Sequence, residues 1–574
     1  MNQQLRLLRK TNAVALAHPH PRPRPQRLRR NSLFFTAARC LITVPNMSDK
    51  RVSQYSNPTS APKYDIVIVG AGVAGLSTAY HILTKRPTTK VLILEAKDRV
   101  GGRVHSHPVG DGAVDLGASI IHGVQGNPIM GLAQKLGLPY KQSTMNMRVI
   151  RPDGSVLPLE TMLKFASRAF GTFFEWLPAI SQEGADVPAE SESVADRMFS
   201  KDSPLYGEGD SETREEEMEM ARNSARAFQG WTGAPLDYVS LKWWSFGQDT
   251  TGGDAVLVDG YRPIIQWLTS KVQQLGAVIT LESPVTDITT DEENGVSITV
   301  SAETESRQTV NYEADYAVVT LPLGVLKYSP PTFDPPLPIR RLMSIEKLGF
   351  GLLNKVVLIY DSAWWAGLGA GGSEGEGDET GEVAVNILLP SKEDPTRLLG
   401  PSRGRPSGKH APLPGEFPVR SPEYLKKNPN SLMIFNVHSQ GGIPALAIFM
   451  GGEWGDRMEL CSEEETKEWA DKVVKDYFGK SLMKSIPSPT KVMRTTWRTD
   501  KYAHGSYSYI PVTPEDGDGK GASPIDQLEL SRTLWGRLFW AGEHTELNQF
   551  ASVHGAWTSG VREAEKVLVK LEGV

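Results

Sequence analysis

The chain has 574 residues, more than one hydrophobic core usually serves, so two or more domains are expected. With 39% apolar and 22% charged residues the composition is that of an ordinary globular protein, and 62 basic against 67 acidic residues leave a net charge of -5. This balance argues against nucleic acid or an anionic membrane surface as the main partner, and no uncharged apolar run reaches the roughly 18 residues of a membrane span. The two cysteines, Cys40 and Cys461, are too few and too far apart for a disulfide framework or a cysteine metal site, which fits a reducing compartment.

The first 48 residues contain no Asp or Glu and many Arg, among them Arg6, Arg9, Arg22, Arg24, Arg27, Arg29, Arg30 and Arg39. That composition is found in organellar transit peptides. The HPHPRPRP stretch from His18 cannot hold the amphipathic helix such peptides use, because Pro removes helix donors, so only residues 5–17 could form one. The other reading makes Met47 the physiological start. Residues 49–62 are rich in Ser, Pro and Asn and read as a linker, so 1–62 is treated as an N-terminal extension. No targeting tripeptide is expected at Leu571-Glu572-Gly573-Val574.

Ordered structure should begin with a buried strand over 64–69, then a glycine loop, a helix over 74–83 and a second buried strand over 91–94. Helices are expected over 157–180 and 213–229, the run Arg214-Glu215-Glu216-Glu217 being a solvated face, and again over 261–275. Strands follow at 278–281, 296–300, 317–321 and 356–360. Residues 367–381 are acidic and of low complexity, and 399–420 are rich in Pro, Gly and Arg; both read as insertions flanking a strand at 383–389. A strand over 538–540 and a helix over 553–571 close the chain.

The glycine loop is Gly70-Ala71-Gly72-Val73-Ala74-Gly75, a G-x-G-x-x-G between a strand and a helix. Gly70 permits the tight turn, Gly72 lets the backbone approach a pyrophosphate, and Gly75 lets the helix pack on the strand. The helix N-terminus then offers free N–H groups and the positive end of its dipole to phosphates. Glu95, twenty residues after Gly75 at the end of the next strand, can bind ribose hydroxyls. The motif alone does not separate NAD from FAD. The continuation Asp98-Arg99-Val100-Gly101-Gly102-Arg103 does, since a second glycine pair gives a second approach to the pyrophosphate and Arg103 neutralises it.

With the segments DIVIVGAGVAGLSTAY, LEAKDRVGGR, DLGASIIHG, TLPLGVLK, LGFGLLNKVVLIYDSAWW, WRTDKYAHGSYSY and FWAGEHTELNQFASVHGAWTSGVREAE, the chain resembles the flavin-containing amine oxidases over nearly its whole length from residue 65. Within that family it looks most like polyamine oxidases and the lysine-specific histone demethylases. The resemblance implies an α/β fold, a Rossmann-type FAD-binding domain (63–150, 255–300 and 491–574) interleaved with an α+β substrate-binding domain (151–254 and 301–490). It implies that Glu95 binds the adenosine ribose and that Val285 meets adenine through its backbone. Arg103 and Glu543 would line the pyrophosphate and ribityl region, Trp497 would pack near the flavin ring, and Val553 would lie at the ring's far edge. Lys97 stands where the family often has Arg. Monoamine oxidases attach flavin through a cysteine and end in a membrane helix; Asn548-Gln549-Phe550-Ala551-Ser552 contains no Cys, so non-covalent FAD and an enzyme free of the membrane are expected.

Taken alone, Lys355 reads as an outward-facing strand lysine, His122 as a structural or surface histidine, and Tyr507 as core packing. The resemblance makes Lys355 the residue that holds a water at the flavin, with a pKa lowered by burial. It puts His122 beside the substrate nitrogen, where a His can hold or accept a proton, and makes Tyr507 an aromatic flanking the substrate. Ser552 takes the place of a second aromatic, which disfavours small aromatic monoamines. The expected reaction is oxidation of spermine, spermidine or an acetylated polyamine by oxygen to an aldehyde, a shorter amine and hydrogen peroxide. The alternative is a histone lysine demethylase. Asp249 is a candidate for gripping a distal ammonium. No metal and no nucleic acid are expected, and the compartment is cytoplasmic, or mitochondrial if the N-terminus is a transit peptide.

Overall fold

The computed structural model describes residues 63–573, apart from 144–145, 183–186, 208–213, 248–250, 292–297, 304–308, 367–382, 392–397, 399–423, 425–429, 483–484 and 514–520. The expected N-terminal extension, the acidic and Pro-rich insertions and Asp249 therefore lie outside the described residues.

The first sheet has eight strands. At its centre Lys63–Val69 pairs in parallel with Val91–Leu94 on one side and Thr309–Val319 on the other. Val278–Thr280 extends the first edge, and Leu538–Trp540 lies parallel to Thr309–Val319. Ile298–Glu303 and Val285–Thr290 continue the sheet antiparallel, and Thr332–Asp334 ends it. Alternation within the central strand explains why its run is apolar throughout. Ile66 and Ile68 pack with Leu76, Ile82, Leu268 and Val567 from helices Val73–Lys85, Arg262–Gln274 and Val553–Leu571, while Val67 and Val69 pack on the opposite face with Leu326, Leu530 and Trp540.

The second sheet has six strands in the order Lys491–Arg494, Leu353–Ile359, Ala445–Gly451, Leu432–Asn436, Val385–Leu388, Met147–Ile150. All pairs are antiparallel except the last. One face, with Val356, Leu358 and Ile448, is covered by Glu463–Val474. The other face carries Val357, Phe435 and Phe449, and it packs with helix Leu159–Gly171 and the π-helical turn Thr172–Trp176.

The two sheets run across the expected domain boundaries. Thr309–Val319 and Thr332–Asp334, placed with the substrate side, belong to the first sheet, whereas Met147–Ile150 and Lys491–Arg494 belong to the second. Strand partners hundreds of residues apart leave no trace in local periodicity, so boundaries drawn at 150, 300 and 490 miss them. Lys355 faces inward. It shares its strand face with Val357 and sits opposite Phe449 in the register, buried.

Candidate active site

Between the two sheets lies a cavity of about 1390 Å³. It runs from the glycine turn, past Glu95 and Arg103, to Lys355 and a group of aromatic side chains. Gly70, Gly72, Glu95, Arg103, His122, Val285, Lys355, Trp497, Tyr507, Glu543 and Val553 all line it. Gly75 does not, because it is the contact between helix and strand. A Cβ there would stand 2.0 Å from the Gly70 carbonyl oxygen.

Around the glycine turn, at one end of the cavity, the chain leaves open space. Gly70 has φ +108°, open to few residues besides glycine, and a Cβ on it would meet Thr320 Oγ1 at 2.6 Å. A Cβ on Gly72 would meet nothing within 4 Å, so its surroundings are cavity. Gly72 caps helix Val73–Lys85, and Ser552 caps Val553–Leu571. Two helix N-termini thus reach one cavity, each with first-turn N–H groups that have no partner within the helix. The two helices touch at Gly560, where a Cβ would fall 2.4 Å from the Ala74 carbonyl oxygen, and Thr78 Oγ1 donates to the Gly560 carbonyl at 3.1 Å. Ser552 Oγ accepts from Gly555 N at 2.9 Å and donates to Gln549 O at 2.6 Å, so the small hydroxyl at this position closes the turn before the helix.

Glu95 is buried, and its carboxylate accepts from Ala71 N at 2.8 Å and Lys97 N at 3.0 Å. Burial lifts its pKa above the usual range against the pull of those two bonds. Arg103 donates to Glu543 Oε1 at 2.8 Å and to the Ser506 carbonyl at 2.9 Å. Glu543 also accepts from Ser508 Oγ at 2.6 Å and Ala551 N at 2.9 Å. Burial alone would raise the Glu543 pKa; the charge of Arg103 and these bonds outweigh it and hold it low. Lys97 pairs with Asp500 and lies 5.6 Å over the Trp497 ring, so the lysine found where Arg is frequent is fully engaged. These features suit a pyrophosphate and ribose: open space at Gly72, helix termini, a buried acid and a guanidinium.

At the other end Lys355 Nζ donates to Gly117 O at 2.6 Å, Asp115 O at 3.0 Å and Ser119 Oγ at 3.0 Å. Burial lowers its pKa to about 8, opposed by the Asp115 carboxylate. All three N–H bonds of the ammonium are therefore taken by protein oxygens. Ser119, in the GASIIHG segment but given no role from sequence, accepts from Lys355 and has its own O–H to offer a water in the cavity. Phe449 lies 5.1 Å from Nζ and stacks on Phe435 at 4.1 Å.

Tyr507 is fixed by its hydroxyl, which donates to the Trp231 carbonyl at 2.8 Å. Gly233 makes room for that ring: a Cβ there would meet it at 2.7 Å. Phe170, Phe173, Phe174, Trp231 and Trp244 complete an aromatic wall, with Phe173 and Trp244 edge to face at 4.8 Å. None of these was singled out from sequence, since an aromatic on a helix reads as core. His122 lines the same cavity; its Nδ1 lies 3.1 Å from Asp254 Oδ2, with His554 beside them. Asp254 carries no sequence signal, being 132 residues from its partner. Among the described residues no cluster of metal-ligating side chains occurs, and no helix is long and apolar enough to cross a membrane.

Residues 73–568 match the family described as "Flavin containing amine oxidoreductase". The chain is 28% identical over 532 residues to "Lysine-specific histone demethylase 1 homolog 2" of Arabidopsis thaliana, covering 89% of this chain and 59% of that protein. The chain thus spans little more than half the length of that relative. It is 25% identical over 532 residues to "Probable polyamine oxidase 4" of Arabidopsis thaliana, covering 91% of this chain and 90% of that one. Among solved structures a redesigned putrescine oxidase is similar in fold, with TM-score 0.59 and 17% identity over 88% of this chain and 99% of the other.

Proposed function

The chain belongs to the flavin containing amine oxidoreductase family, its cofactor is FAD, and we propose that it is a polyamine oxidase. The observation that carries this reading is the continuity of one cavity, from the helix N-termini at Gly72 and Ser552 to a buried lysine and an aromatic wall. Gly70, Gly72, Glu95, Arg103, Val285, Trp497, Glu543 and Val553 would hold FAD, with Gly75 seating the helix on the strand behind them. Among the described residues no cysteine lines the cavity, which supports a non-covalent cofactor.

When bound, FAD supplies the acceptor for the hydride leaving the carbon beside nitrogen, and passes the electrons on to oxygen. The chain's own residues orient the amine and manage protons. Tyr507 and the aromatic wall hold the alkyl segments and tolerate cationic nitrogens. His122 stands where it can take a proton from the substrate ammonium, since only a neutral nitrogen has the lone pair that drives hydride loss. Lys355, with its pKa near 8 and Ser119 as intermediary, exchanges protons with water in the cavity during reoxidation. The products would be an aldehyde, a shorter amine and hydrogen peroxide.

The demethylase reading keeps support from the 28% identity to the demethylase homologue, but the polyamine oxidase is matched over 90% of its length and the demethylase over 59%. Peroxide release from spermine, spermidine and acetylated polyamines, compared with a methylated lysine peptide, tests the proposal. Turnover on the free polyamines is expected. Turnover on the peptide alone would replace this reading with the second.

A further inference from the structure

Segments 121–125 and 251–255 are zipped together by backbone bonds. Ile121 and Ala255 exchange N–H···O bonds of 2.8 and 2.9 Å, Val124 N donates to Gly253 O at 3.0 Å, and Gln125 N donates to Thr251 O at 2.9 Å. This ladder sets His122 beside Asp254. Asp254 Oδ1 accepts from Gly123 N at 3.0 Å, which aims Oδ2 at His122 Nδ1, 3.1 Å away. Asn127 Nδ2 donates to the His122 carbonyl at 3.0 Å and holds the loop from the other side. Both side chains line the same cavity as Lys355 and Tyr507.

We infer that Asp254 is a positioning residue for His122. It holds the imidazole with hydrogen on Nδ1, so that the lone pair of Nε2 faces the cavity and accepts the proton of a substrate ammonium. This rests on the reading of His122 given above. An ionised carboxylate can only accept, so its partner nitrogen must donate, and the other nitrogen is left as acceptor. In the step that follows, the ammonium N–H bond breaks, the Nε2–H bond forms, and the electron pair stays on the amine nitrogen. The imidazolium that results is stabilised by the adjoining carboxylate. The His122 side chain is 59% exposed, so it can pass the proton to solvent between turnovers.

The neighbouring ionisable groups agree with this arrangement. Burial would raise the Asp254 pKa, but the His122 bond and charge and the Gly123 N–H hold it below the usual range, so it is charged at neutral pH. His554, in the first turn of Val553–Leu571, is pushed down to about 4 by burial, with the charge of His122 adding to that, and stays neutral beside the pair. Tyr261, which starts helix Arg262–Gln274, is raised by burial and by Asp115 and Asp254, and its hydroxyl donates to Ile120 O at 3.1 Å. Among the described residues, Asp254 is therefore the fixed negative charge paired with His122.

The test uses FAD-loaded enzyme and spermine, with anaerobic flavin reduction followed across pH for wild type, Asp254→Asn, His122→Ala and the double variant. Asn can still accept from Gly123 N but presents an amide N–H to Nδ1, which reverses the tautomer. Reduction near neutral pH is expected to fall about tenfold to a hundredfold in Asp254→Asn, its pH profile changing, with reoxidation by oxygen unaltered. In the His122→Ala background the same change should cost nothing further. Wild-type rates and profile in Asp254→Asn, or losses that simply add in the double variant, would overturn the inference. His122→Ala reducing normally would instead remove the reading of His122 on which it rests. A readout independent of turnover is the ¹⁵N spectrum of histidine-labelled holoenzyme, with His122 assigned by its loss in His122→Ala. Hydrogen on Nδ1 is expected in the neutral ring; hydrogen on Nε2 would overturn the inference even if Asp254→Asn failed to fold.

Discussion

The ammonium of Lys355 reaches from the second sheet to the carbonyl oxygen of Gly117, 2.6 Å away, in the segment that leads from Asp115 to His122. One side chain thus fixes the backbone that carries Ser119 and His122, and it lines the same cavity as the aromatic wall.

Lys355→Met should keep the fold and FAD, because the volumes are similar. The Gly117 and Asp115 carbonyls lose a partner, at about 1–3 kcal/mol of stability. Turnover should fall about tenfold to a thousandfold, the range for lost proton-handling groups. Stopped-flow absorbance separates flavin reduction from reoxidation, and wild-type rates in both would make Lys355 a structural lysine only.

The same residue gives a pH signature with a definite sign. The Lys355 pKa is lowered from 10.5 to about 8 in the folded protein, so between these values the unfolded chain binds more protons. Burying the charged ammonium costs stability in full below about 8, and that cost is relieved as pH rises towards 10.5, so the stability of the wild type rises across this window. Melting temperatures of wild type and Lys355→Met should diverge in favour of wild type across that window. Parallel curves would show that Lys355 does not titrate there.

Gly72 and Gly75 should fail in different ways. At Gly72 a Cβ meets nothing within 4 Å, so Gly72→Val should fold and melt normally but purify without flavin. At Gly75 a Cβ would collide with the Gly70 carbonyl, so Gly75→Val should be insoluble or strongly destabilised. Visible absorbance and circular dichroism distinguish the two; a yellow Gly72→Val protein would place the pyrophosphate elsewhere.

Arg103→Met leaves the buried Glu543 without its cation. A loss of about 1–3 kcal/mol is expected at neutral pH, together with weaker FAD retention. The Glu543 pKa is held below 4.5 in the folded state, so its stabilisation is present above 4.5 and disappears as pH falls through the folded value. The gap between wild type and variant in denaturant titrations should therefore close on acidification. A gap that stays constant would mean the pair does not hold Glu543 ionised.

Acid precipitation should leave the flavin in the supernatant, chemically intact, because no cysteine lines the cavity among the described residues. Yellow colour retained by the pellet would show a covalent bond.

What the sequence revealed follows from the range over which each signal acts. The strand at Lys63–Val69, the glycine turn and the helix Val553–Leu571 are written in local spacing, two-residue or 3.6-residue, and were legible. The helix expected over 157–180 is interrupted by the π turn Thr172–Trp176, which no composition announces. Lys355 is a polar residue within an apolar strand; periodicity could only mark it as odd, and its inward face became visible through pairing with Phe449. Asp254, Ser119 and Gly233 matter through partners far along the chain. Their residue types are common in loops, so nothing local separates them from loop chemistry.

The contact at Gly560 sets a timetable for the growing polypeptide. Thr78 and Gly560 are 482 residues apart in the chain, so the glycine turn emerges from the ribosome well before the helix that abuts it and completes the cavity. Flavin cannot be captured in its finished site until that helix has emerged. A message cut short before the codons for 553–571 should yield a colourless product however much of the first sheet has formed.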